Sequence, residues 1–309
     1  MQIIHDTIQN IQVGPAQNFE GLTMWPLVGK NTNGEPDYLA LDEALEKELA
    51  EVTEISDAGS VPELRFKNGA LKPVLLVDGE ELIGAKQNRV LNVTVLAPAE
   101  KDIVIPVSCV EAGRWQHRSR KFSSSGRAHH SRGRAKKAAQ VSASLSAGMG
   151  RRSNQSEVWD EISAKSERMS VHSNTAAMED IYEQNRRPLE DYVDAIKPVE
   201  NQVGAIFSVH GRIVGIDLFD HPSTLNRILP KLVQSCALDA LDPLDVPVDG
   251  QGTESRVSVD KLFADMGLSE MKSYPAVGEG EEVRLAASNI AGSALVVNGD
   301  VVHLNAFYQ

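Results

Sequence analysis

Between positions 80 and 89 the chain gathers Glu80, Glu81, Lys86, Gln87 and Arg89, just before the apolar positions Leu91, Val93 and Val95. If the segment is a strand, its side chains alternate between two faces. Gln87 and Arg89 then share the face of the three aliphatic residues. An inward guanidinium needs a counter-charge or a ligand, because an unpaired buried charge is very costly. Two chemistries follow. Lys86 or Arg89 could grip a phosphate or carboxylate while Gln87 reads a polar edge. Alternatively, Arg89 pairs with Glu111 on a neighbouring strand and fixes its register.

Glu111, Arg114 and Trp115 end the next apolar run. Trp115 could stack on a base or on Arg114, or plug the strand end. Glu80, Glu81 and Glu111 are the carboxylates available for acid–base work or for Mg²⁺. Cys109 falls on the Arg89 side, but no histidine is placed to activate it, and an inert buried thiol is the plainer reading. His129-His130 has no partner spacing and reads as solvated. Asp217, Asp220 and His221 could bind a metal, but Asp220 or Ser223 more commonly caps the following helix. No metal site is expected, and the sequence assigns no cofactor.

The elements that position these groups are mostly strands. Residues 3–28 alternate weakly and read as two strands, and 38–50 as a short amphipathic helix. Residues 86–97 and 103–111 read as a hairpin that sets Val95 against Ile105, Leu91 against Cys109 and Arg89 against Glu111. Residues 114–150 read as loop, with a helix near 133–145. Helices follow near 156–164 and 174–192. His210-Gly211 and Asn298-Gly299 suit primed hairpin turns, and a long apolar-striped helix lies between them from His221 to Leu241. Turns are expected at 32–36 and 250–252. The fold class expected is α+β, a mostly antiparallel, sandwich-like sheet with a helical insertion. Its parts are 1–115, 116–200 and 201–309, within one domain.

The chain has 309 residues, 41% hydrophobic and 24% charged, as ordinary globular proteins are. No run is long and apolar enough for a membrane helix, and no leader is evident at Met1. A cytoplasmic location is therefore expected. Net charge is −12, yet residues 112–156 contain no acid and 11 of the 31 basic residues. Such a segment could attract an anion or nucleic acid through residues 114–152, or dock on the protein's own acidic surface.

Gly79-Glu80, Gly84-Ala-Lys86-Gln87-Asn-Arg89, Asn92 and Val107-Ser-Cys109-Val-Glu111-Ala-Gly113-Arg114-Trp115 together resemble the prokaryotic ARPP family, the ARG and rhodanese-phosphatase-superfamily-associated proteins. The likeness continues through Val158-Trp159, Gly204-Ala205-Ile206, Gly215-Ile-Asp217-Leu-Phe219-Asp220 and His303-Leu304. It implies company with ADP-ribosylglycohydrolases and phosphatases, hence NAD-derived or ADP-ribosyl metabolism and a setting in defence systems. It supplies no catalytic residues. The expectation is a protein that binds, with or without processing it, a phosphorylated nucleotide of the NAD or ADP-ribose type. Lys86, Arg89 and Arg114 would hold the anion, and Gln87 and Trp115 would orient it. Glu80, Glu81 and Glu111 would be the acid–base candidates. The alternative is a non-catalytic interaction protein whose basic segment docks an acidic protein or nucleic acid.

Overall fold

The computed structural model describes residues 1–29, 34–244 and 258–309. The turn expected at 32–36 lies partly, and the loop at 250–252 wholly, outside the described residues. The N-terminal stretch begins with α1 (Gln2–Gln9), where strand was expected: Ile4 and Ile8 repeat at helical spacing and Ile4 is buried. Then come β1 (Gln12–Val13), β2 (Gln17–Phe19), β3 (Leu22–Val28), β4 (Leu39–Ala40), α2 (Leu41–Glu46), β5 (Ala50–Glu54), β6 (Glu63–Asn68), β7 (Val74–Leu76), β8 (Glu80–Gly84), β9 (Arg89–Leu91), β10 (Val95–Ala97) and β11 (Asp102–Cys109). The basic segment contributes β12 (Phe122–Ala128) and α3 (Ser131–Ser146), and α4 (Gln155–Arg168), α5 (Met178–Gln184) and α6 (Arg186–Ala195) follow. The last third holds β13 (Gln202–Val209), β14 (Arg212–Phe219), α7 (Pro222–Ala240), α8 (Val259–Gly267), β15 (Glu270–Pro275), β16 (Glu281–Ala286), β17 (Ile290–Val297) and β18 (Asp300–Tyr308).

The fold is α+β with mostly antiparallel sheets. Nine strands form one sheet, in the order β1-β3-β13-β14-β18-β17-β16-β15, with β2 also paired to β3. The second large unit is not a sandwich layer but a closed six-stranded barrel, β11-β6-β5-β12-β8-β9. Closure removes the sheet edges that would otherwise seek partners. Val52, Leu64, Phe66, Leu82, Leu91, Ile105, Val107 and Phe122 form the barrel's apolar core. A larger core lies where α4–α7 meet one face of the long sheet, and a third joins α1 and α8 to the other face. The turns His210-Gly211 and Asn298-Gly299 have positive φ at both residues, as primed turns require.

β12 corrects the expectation of loop over 114–150. Its Ser-rich sequence buries only Phe122 and Ala128, so alternation was faint, yet it closes the barrel between β5 and β8.

Candidate functional site

The barrel mouth forms at the end where β8 turns into β9. Arg89 pairs with Cys109 on one side and Leu82 on the other. The expected Arg89–Glu111 register is therefore off by two residues. The reason is local, because 86–97 is not one strand. It breaks at residues 92–94, where Asn92 accepts from Ser108 Oγ and donates to the Arg151 carbonyl, and Thr94 bonds His303. Beyond the break, β10 leaves to pair with β7. A two-residue displacement keeps the face, so Arg89 still shares the barrel interior with Leu91 and is wholly buried.

Arg89 Nη1 donates to the Gln87 carbonyl at 2.8 Å. Nη2 lies 3.8 Å from Glu54 Oε1, an ion pair too long for a hydrogen bond. Among the described residues, Arg89 Nε and Nη2, Glu54 Oε2 and Gln87 Oε1 are buried without hydrogen-bond partners. Burial pulls the Arg89 pKa below its ordinary value, against the attraction of Cys109 and Glu54. Burial likewise pushes the Cys109 thiol up to about 11, which leaves it protonated and unreactive at neutral pH.

Trp115 is 45% exposed, and its ring lies over Lys86 Nζ at 5.4 Å and the Arg89 guanidinium at 5.8 Å. It is neither a core plug nor stacked on Arg114. Lys86 Nζ donates to the carbonyls of Asp57 (2.5 Å) and Ala58 (2.8 Å) in the β5–β6 loop. Gly59 completes the cover with φ +78, and a Cβ there would meet Lys86, Trp115 and Glu54 Oε2 at 3.1–3.4 Å.

The remaining sequence-derived candidates lie outside this mouth. Arg114 grips Glu111 bidentately (2.8 and 2.6 Å) and also bonds the Ala85, Gln116 and Gly84 carbonyls and Asn88 Oδ1. Burial works to raise the Glu111 pKa, but Arg114 and the Asn88 amide prevail and hold it below the usual range. This pair locks the β8–β9 turn to the end of β11. Glu80 is buried between Lys231 (2.6 Å) and the Val77 amide (2.7 Å), and Lys231 also holds Asp42. Glu81 pairs across from Val90, on the barrel face opposite Arg89. The carboxyl is buried, and burial lifts its pKa to about 7 against a weak hydrogen bond from Ser125 and the charge of Arg127.

Other expectations are also revised. His129 and His130 are fully buried, stacked edge to face against the start of α3, rather than solvated. His221, not Asp220 or Ser223, is the N-cap of α7, and Asp220 instead accepts from Tyr38. Asp217 receives both arms of Arg134 (2.9 and 2.6 Å) and His303. No His, Cys, Asp and Glu cluster suited to a metal occurs among the described residues. Among the described residues, Arg114, Arg118, Lys121, Arg127, Arg134, Lys136, Lys137 and Arg151 of the acid-free window pair with the chain's own acids.

Sequence reasoning thus brought Lys86, Arg89 and Trp115 together but missed Glu54. The same alternation would have found it, because Glu54 shares the face of Val52 on β5.

No helix among the described residues is long and apolar enough to cross a membrane. A family model for the ARG and Rhodanese-Phosphatase-superfamily-associated Protein domain matches residues 10–307. No curated protein and no solved structure matches the chain.

Proposed function

The chain belongs to the ARPP family, and we propose that it binds a phosphorylated nucleotide of the NAD or ADP-ribose type at the mouth of the barrel. One observation carries the reading: the Nε–Nη2 edge of a wholly buried Arg89 has no hydrogen-bond acceptor. That edge is the planar fork with which arginine makes paired hydrogen bonds to a ligand. A buried donor pair left unsatisfied is costly, and a bound acceptor would relieve it. Trp115 adds a half-exposed ring to stack on, and Lys86 adds a second cation beside it.

The proposal is one of binding first. Glu80 and Glu111 are engaged in ion pairs, and Glu81 lies across the barrel wall. Glu54 is the carboxylate within reach of Arg89. A cytoplasmic setting is part of the proposal. The alternative, a basic surface docking nucleic acid or an acidic protein, gains nothing from charges already paired within the chain.

Thermal unfolding with ADP-ribose and NAD tests it. A ligand at a hundred times its Kd stabilises by about 2.7 kcal/mol, a rise of roughly 5 °C for a chain of this size. Arg89→Lys keeps the charge and loses the fork, so it should fold and lose that rise. No rise in the native protein with either ligand overturns the proposal.

A further inference from the structure

Resting on that reading, we infer that the innermost group of the ligand is a flat ring edge carrying an acceptor beside an N–H donor, as in nicotinamide or adenine, and that the phosphates stay outside. The polar atoms at the mouth are of both kinds. Arg89 presents two open donors, Nε and Nη2, while Glu54 presents an open acceptor, Oε2. Glu54 Oε1 is 3.8 Å from Arg89 Nη2, so both belong to one small site. Gln87, whose carbonyl holds Arg89 Nη1, offers another open acceptor in Oε1.

A phosphate has only acceptors. It would satisfy Arg89, leave Glu54 Oε2 without a donor, and bring its negative charge against the Glu54 carboxylate where water is excluded. A carboxamide or an amino-substituted ring edge satisfies both sides and adds no charge. Sites built to hydrogen-bond such edges reject analogues that lack them, because the buried groups are then left unpaired.

Trp115 supplies the ring face. It lies over Lys86 and Arg89 and is half exposed, as a stacking platform must be. The mouth is covered by Gly59, whose missing side chain leaves bare backbone against Lys86, Trp115 and Glu54. Entry of a ring lifts this loop and breaks the two bonds from Lys86 Nζ to the Asp57 and Ala58 carbonyls. The freed ammonium then faces the sugar-phosphate tail. Arg89 and Glu54 therefore choose the ring, and Lys86 answers the phosphate.

Titration calorimetry on the whole chain with adenosine, nicotinamide, ribose 5-phosphate, ADP-ribose and NAD separates these roles. Adenosine or nicotinamide is expected to bind, and which of them does identifies the ring. Ribose 5-phosphate alone is expected to give no heat. Trp115→Ala should weaken the ring-bearing ligands at least tenfold, with Trp115→Phe restoring most of the loss. Glu54→Gln, which keeps the shape, should weaken the binding ring tenfold and let ribose 5-phosphate in. Binding of ribose 5-phosphate without either ring compound overturns this inference and leaves the nucleotide reading standing. Unchanged ring affinity in both Trp115→Ala and Glu54→Gln overturns it as well. Silence from all five ligands overturns both.

Discussion

Glu81 holds its proton far more tightly than a solvated glutamate. Its pKa is raised from 4.5 to about 7 because burial on the outer face of β8 penalises the carboxylate, with Glu179 and Glu111 adding like charge. The folded state therefore binds this proton more tightly than the unfolded chain does. Its favourable contribution is full below about pH 4.5 and is lost as pH rises through 7. The lifted pKa corresponds to about 3 kcal/mol between those limits. Glu81→Gln should unfold later than the native protein at pH 8 and differ little at pH 5. Denaturant melts at the two pH values check this, and equal stabilities at pH 8 would sink it. Burial acts in the same direction on Cys109, a thiol pushed up to about 11 in the barrel lining. It should resist alkylation by iodoacetamide in the folded protein at pH 8, and rapid labelling would contradict the geometry. Arg89 was legible at this scale because alternation survives any even shift of register. Its partner was not, because the break at Asn92 and Thr94 depends on bonds to Ser108, Arg151 and His303, all remote in sequence.

Helix α3 shows what the elements add. Its sequence is basic and Ala-rich, and a helix over part of it was legible. Its role was not, because Arg134 and Lys137 look like surface residues until their partners are known. Both are buried, Arg134 forked onto Asp217 and lying over the Phe307 ring, Lys137 on Asp78 and the Leu91 carbonyl. Arg134→Ala leaves Asp217 buried without its counter-ion and should cost about 3–5 kcal/mol in a urea melt. A loss below 1 kcal/mol would show that the pair is dispensable. The same helix begins against His129, where a Cβ on Gly133 would collide with the imidazole ring. The ring is fully buried and cannot swing into solvent, so Gly133→Ala should destabilise by about 1–3 kcal/mol. β12 was misjudged because it buries only its two end residues, so its alternation was too weak to read.

Across the molecule, charge is organised inward. The chain carries −12, and its one acid-free stretch meets acids on β5, β14, β16, α4 and α5. Binding to mixed-sequence duplex DNA should therefore be undetectable at about 0.15 M salt, since it requires cations free to displace counter-ions from phosphate. A retained, salt-sensitive shift in a gel assay would count against this. The antiparallel α+β character was legible from hairpin turns and alternation, because those signals are local. The barrel was not, because its closure depends on β12 meeting both β5 and β8.

The pairing of β3 with β13 joins Met24 to Phe207, about 180 residues further on. At a synthesis rate of about 5–20 residues per second, β3 leaves the ribosome roughly 10–35 s before that partner exists. During that interval a strand carrying Leu22, Met24 and Leu27, all buried in the finished sheet, has only the short β1 and β2 beside it. The geometry of the long sheet thus sets a delay in the life of each new chain, and the strand is open to chaperones or to a neighbouring nascent chain until β13 emerges.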